Sequence, residues 1–120
     1  MLFPRFRSKQ RDVRSDVERL ASVEGVITRV IEDVEQELAG LSARIEEARA
    51  RAAFLYGDMI EGESPDTAGA AAMLNDAERL LVRGDVRLIE IRNNLAFLSD
   101  LRERMQAETK RLQAYAAEGE

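Results

Sequence analysis

Apolar residues recur along most of the chain in alternating steps of three and four, with polar residues between them. This spacing places the apolar side chains on one stripe of an α-helix and, over several heptads, is typical of coiled coils. The first run contains Val13, Val17, Leu20, Glu24, Ile27, Ile31, Val34, Leu38, Leu41, Ile45, Ala48, Ala52 and Leu55. The second contains Ala70, Leu74, Ala77, Leu81, Gly84, Leu88, Ile91, Leu95, Leu98, Arg102, Met105, Thr109 and Leu112. The pattern predicts an all-α fold of two long helices.

Capping residues predict where these helices begin and end. The first helix is expected to start near a capping box at Ser15, although Ser8 offers an earlier start. Gly57 suits the left-handed residue that often follows a helix, and Ser64 with Pro65 suits the start of the next. The predicted organisation is an N-terminal arm over residues 1–12, a helix over 13–56, a loop over 57–64, a helix over 65–117 and a frayed tail over 118–120.

Two long helices joined by a short loop are expected to fold back into an antiparallel hairpin over residues 13–117. With the loop centred near residue 61, the inward positions face one another in a defined order, which puts Leu38 opposite Gly84. A small residue opposite a large one lets two helices pack closely without a void. We therefore expect Gly84 to be a packing position inside the second helix, despite the cost of glycine in helices.

The second helix has a further apolar face, nearly opposite the inward one at 100° per residue. It contains Val82, Val86, Ile89 and Phe97, and Val23, Val26 and Val30 widen the apolar stripe of the first helix. A helix that is apolar on two faces is usually covered on both. We expect self-association into an antiparallel four-helix bundle, a homodimer with the second helix at its centre. Scattered surface valines and cover by an unrelated protein are the alternatives.

Glu24 and Arg102 are the only charged residues at the predicted inward positions, and they lie at adjacent levels. An ion pair between them would fix the register of the hairpin, as single polar residues in coiled-coil seams do. Alternatively, the bundle loosens at this end and both side chains extend to water.

The residues used most often for catalysis and metal binding are missing. The chain contains no Cys and no His, and its net charge is −5. Disulfides, thiolate chemistry and histidine-based catalysis or metal ligation are thereby excluded. The acidic clusters lie within predicted helices, where most carboxylates face water. We expect a protein that is not an enzyme and that has no catalytic residues, metal site or cofactor.

The basic charge is concentrated at the N-terminus, since residues 1–14 hold five basic residues and one acidic residue. An acidic body argues against nucleic-acid binding, which needs a basic stripe. Within the arm, a membrane-surface or partner-binding segment is predicted at Leu2, Phe3, Arg5, Phe6 and Arg7. The alternative is that the arm packs against the end of the bundle. No apolar run is long enough to cross a bilayer and the start lacks the apolar middle of a signal peptide, so a cytoplasmic protein is expected.

These features favour a structural or adaptor protein that binds itself and an unidentified protein partner. The predicted hairpin is similar in architecture to small coiled-coil chaperones and adaptors of bacterial export machines. That resemblance implies a second hypothesis, a chaperone that shields an amphipathic helix of a client. A peripheral membrane protein that uses the arm is the third.

Overall fold

A computed structural model describes residues 8–61 and 67–118 and confirms the predicted all-α antiparallel helical hairpin. Helix α1 spans Lys9–Glu61 and helix α2 spans Thr67–Glu118, and the described residues contain no strand. The chain divides into two compact units, each with a segment of both helices. The first unit consists of Met1–Asp33 with Leu95–Glu120, and the second unit of Val34–Asn94.

Ser8 provides the N-cap of α1, so the earlier of the two predicted starts is the one observed. Its hydroxyl oxygen accepts a hydrogen bond from the Arg11 backbone N–H at 3.1 Å. The backbone N–H of Asp12 donates to the Ser8 carbonyl oxygen at 3.1 Å, and the Asp12 carboxylate lies in the first helical turn, where the helix dipole favours negative charge. The helix therefore includes residues 9–12, which were expected to belong to the arm.

At its other end, α1 continues through Gly57 to Glu61, and the prediction that it ends at Tyr56 is wrong. Glycine tolerates the helical conformation as well as the left-handed one, at a cost of about 1 kcal/mol relative to alanine. The Tyr56 hydroxyl donates a hydrogen bond to Glu78 at 2.7 Å, which holds this part of α1 against α2. The predicted cap at Ser64 lies outside the described residues.

Replacing Gly57 with alanine is expected to raise the free energy of unfolding by about 1 kcal/mol, because alanine is the better helix former. Apart from the adjacent helix backbone, no atom of the described residues lies within 4 Å of the position that the added Cβ would occupy. Gly40→Ala is the matched control, since Gly40 is also helical and an added Cβ there is equally free of contacts with the side chains of residues 8–61 and 67–118. Urea denaturation followed by circular dichroism measures both effects. A loss of stability for Gly57→Ala beside a gain for Gly40→Ala would indicate a left-handed cap and contradict the observed helix end.

The core of the second unit is built from small and branched apolar side chains. One buried cluster joins Ala52 and Leu55 of α1 to three residues of α2: Ala70, Leu74 and Ala77. The alanines let the helix backbones approach, and the leucines fill the space between them. The inward positions predicted from the 3, 4 spacing are therefore the ones that form this core.

Gly84 is buried in this unit, as predicted, but its partner differs from the predicted one. A Cβ added to Gly84 would lie 2.8 Å from Ile45 Cδ1, 2.9 Å from Ile45 Cγ1 and 3.8 Å from Leu41 Cδ1. The predicted partner, Leu38, precedes Ile45 by one heptad. Helix α1 also extends past Gly57 to Glu61, beyond the end on which the predicted pairing was based.

In the first unit, Val13, Ile27 and Ile31 of α1 are buried. The ends of the two helices are joined there by polar contacts. The Gln10 side-chain amide donates to the Ala116 carbonyl oxygen at 3.3 Å, and the Lys9 ammonium lies 4.0 Å from the centre of the Tyr115 ring. These contacts fix the start of α1 against the end of α2.

Candidate interaction surfaces

The exposed apolar stripe of the second unit consists of Val82, Val86 and Ile89. Their side chains follow one another at spacings of four and three along α2, which places them on a single face of the helix. Their exposed fractions are 66% for Val82, 56% for Val86 and 60% for Ile89. Ile91, two residues after Ile89, is 0% exposed on the inward face. Helix α2 is thus apolar on two faces of this unit, and only the inward face is covered.

Charged side chains flank this stripe. Arg83, Asp85 and Arg92 are exposed, and none of them forms a hydrogen bond or ion pair with another described residue. Glu90 accepts a hydrogen bond from Arg87 at 3.1 Å, and 56% of its side chain remains exposed. The charges beside the stripe are therefore available to a binding partner.

Arg87 instead belongs to a contact between the two helices. Its guanidinium donates two hydrogen bonds to the Glu37 carboxylate, at 2.8 and 3.0 Å. These bonds hold the pKa of Glu37 below its ordinary value, against a smaller opposing effect of desolvation. Because the folded-state pKa is depressed, the contribution of this pair to stability is present at neutral pH. It is lost as the pH falls through that lowered pKa.

The first unit contains the other residues predicted for self-association. Val23, Val26 and Val30 of α1 and Phe97 of α2 are all exposed. Val23 lies beside a groove between the helices that is also lined by Leu20, Glu108 and Leu112. All seven predicted self-association residues are thus on the surface, with four in this unit and three in the second.

Glu24 and Arg102 form separate contacts, and within the described residues they are not bonded to each other. Gln106 donates a hydrogen bond to the Glu24 carboxylate at 3.0 Å, and Arg102 donates to the Thr28 hydroxyl at 3.4 Å. Both charged side chains are partly exposed. Because the two long side chains have neutral partners across the helix pair, the predicted ion pair is replaced by two hydrogen bonds.

The residues predicted to bind a membrane or a partner lie outside the described part of the chain: Leu2, Phe3, Arg5, Phe6 and Arg7. Further basic residues are paired within the helices. Arg49 contacts Glu46 at 2.7 Å, and Arg51 contacts Glu47 at 2.9 Å. Such exposed pairs neutralise charge locally and contribute little to stability.

Several exposed apolar residues near the end of α1 and the start of α2 were not predicted as surface sites. Phe54 and Ile60 of α1 and Met73 of α2 are all exposed. Ile60 was assigned to the loop, so its place on the helix surface could not be inferred. Phe54 lies off the predicted inward stripe, and that spacing is the signal that would have identified it.

Among residues 8–61 and 67–118, no three acidic side chains lie close enough together to hold a metal ion. Within the same segments, neither helix has a stretch long and apolar enough to span a membrane.

No protein-family model, curated protein or solved structure is significantly similar to this chain.

Proposed function

We propose that the chain is a non-enzymatic structural or adaptor protein of the cytoplasm. In this proposal it binds a second copy of itself through the apolar stripe of α2 and presents its remaining surface to an unidentified protein partner. The observation that carries the proposal is the exposure of Val82, Val86 and Ile89 on one face of a helix whose opposite face packs on α1.

Three branched apolar side chains in successive turns differ from the single exposed apolar residues that any surface contains. Burying them removes apolar area from water, which favours association by roughly 25 cal/mol per Å² before the costs of binding. A two-fold dimer covers the stripe of both copies with one contact, because each stripe is the cover for the other. Self-association therefore covers the exposed apolar stripe of α2 without a different protein.

Replacing Val86 with glutamate is expected to convert the dimer to a monomer, because two carboxylates would be buried in an apolar contact. Size-exclusion chromatography with light scattering gives the molar mass, and circular dichroism checks that the helices remain. Because Val86 is exposed within one chain, the helicity of the Val86→Glu variant is expected to equal that of the wild type. Ala50→Glu is the matched control, because it adds the same charge at an exposed position of α1.

A wild-type chain that stays monomeric, or a dimer that survives Val86→Glu, would contradict the proposal. In the second case Val23→Glu shows whether the contact lies on the first unit instead, since Val23 is the exposed apolar residue beside the groove there.

The same stripe also supports the second hypothesis, a chaperone for an amphipathic client helix, because the 4, 3 spacing of its apolar residues fits a helix of any origin. A monomeric wild-type chain that is stabilised by an amphipathic helical peptide, but not by a scrambled peptide, would favour this function. Flotation with anionic liposomes tests the membrane-surface hypothesis for Phe3 and Phe6, and deletion of residues 2–7 is its control.

A further inference from the structure

We infer that the second copy binds the stripe of α2 in the antiparallel direction, centred between Arg87 and Leu88. This inference rests on the proposed self-association and adds its orientation, its register and the charged residues that determine both. Val86 of each copy then packs on Ile89 of the other. The charges on either side of the stripe carry the inference, and all of them lie in the second unit.

The two flanks of the stripe each contain one positive and one negative residue. At 100° per residue, Arg83 and Glu90 lie on one flank, roughly a quarter-turn from the centre of the stripe. Asp85 and Arg92 lie on the opposite flank at a similar angle. The two charged residues of each flank are one heptad apart, so they are aligned along the helix.

An antiparallel two-fold pair brings each flank against the same flank of the second copy and reverses the direction along the helix. Arg83 therefore meets Glu90 of the second copy, and Asp85 meets Arg92 of the second copy. Symmetry repeats both contacts, which gives four pairs of opposite charge around an apolar centre. Charged residues beside a helix seam set the orientation of the partner in this way.

The alternative arrangements place like charges together. In a parallel pair, each flank meets the opposite flank, and Asp85 faces Glu90 of the second copy. An antiparallel pair shifted by one heptad places Arg83 against Arg83 of the second copy, or Glu90 against Glu90. Like charges directly opposite one another are destabilising. The observed charge pattern is therefore complementary to itself in one direction and one register.

The charged pair Asp85 and Arg92 lies away from the inward face of α2, which makes the contacts within one chain. Asp85 and Arg92 are exposed and have no partner among the described residues. Changing them therefore removes no contact inside the chain, and the flank they form is the better one for a test than the flank of Glu90, which contacts Arg87.

The test compares Asp85→Arg, Arg92→Asp and the double variant with the wild-type chain by sedimentation equilibrium. Each single change replaces two attractive contacts with two repulsive ones and is expected to weaken the dimer about tenfold. The double variant restores opposite charges and is expected to recover most of that loss. Circular dichroism checks that all three variants keep the helices of the wild type.

The other outcomes overturn the inference in distinguishable ways. Tighter association of Asp85→Arg indicates a parallel pair, because the new arginine would face Glu90 of the second copy. Single variants that bind as the wild type does, or a double variant that stays weak, exclude this register. Either result leaves the proposed self-association in place if Val86→Glu still abolishes it. A wild-type chain that is monomeric at every concentration overturns both.

Discussion

Ile91→Ala is expected to lower the free energy of unfolding by about 2–5 kcal/mol, the range for replacing a fully buried isoleucine with alanine. Ile91 is 0% exposed on the inward face of α2, so the change leaves a cavity between the helices. Ile89→Ala is the matched control, because it makes the same replacement in the same helix at a side chain that is 60% exposed. In dilute solution its effect is expected to be about 0.5 kcal/mol.

Urea denaturation at two protein concentrations separates the two faces of α2. The loss for Ile91→Ala is expected at both concentrations, because it arises within one chain. The loss for Ile89→Ala is expected to grow with concentration, because the side chain becomes buried only when a second copy binds. Equal losses for the two variants in dilute solution would contradict the assignment of the inward face.

Gly84→Leu is expected to lower the free energy of unfolding by about 3 kcal/mol or more, although leucine is the better helix former. Even the first added carbon would lie 2.8 Å from Ile45 Cδ1, and Ile45 is 2% exposed with little space to move. Gly40→Leu is the control, since the equivalent carbon there has no side chain of the described segments within 4 Å, and it is expected to be neutral or stabilising.

A second replacement tests which residue faces Gly84. Ile45→Ala in the Gly84→Leu background exchanges a large and a small residue across the contact and is expected to recover much of the lost stability. Leu38→Ala in the same background is expected to lower stability further, because Leu38 is not the residue that the added side chain meets. Recovery with Leu38→Ala and not with Ile45→Ala would restore the register predicted from the sequence.

The helices and their inward faces could be predicted from the sequence because the 3, 4 spacing continues over many turns and determines which side chains share a face. The inward positions Ala52, Leu74 and Ala77 are buried as that spacing predicts. The end of α1 was not predictable in the same way, because a glycine suits both a helix interior and a left-handed cap. With the cap placed at Gly57, Leu38 was the predicted partner of Gly84, one heptad before the observed Ile45.

For the candidate site, the exposed face could likewise be predicted from the sequence, but the partners of individual side chains could not. Helical geometry placed Val82, Val86 and Ile89 on the face opposite the core, and their exposure agrees. The partners of Glu24 and Arg102 were not predictable, since long side chains reach several neighbours and the register decides which are near. The flanking charges could have been found from the sequence by applying the same periodicity to the outward stripe.

Solvent paramagnetic relaxation of the Ile89 and Ile91 methyl groups, measured by NMR in dilute and concentrated samples, tests most directly whether α2 packs on α1 with one face and on a second copy with the other. The account predicts that Ile91 is protected from the soluble probe at every concentration, and that Ile89 is accessible in the dilute sample and becomes protected in the concentrated one. An Ile89 methyl group that is equally accessible in both samples would contradict it.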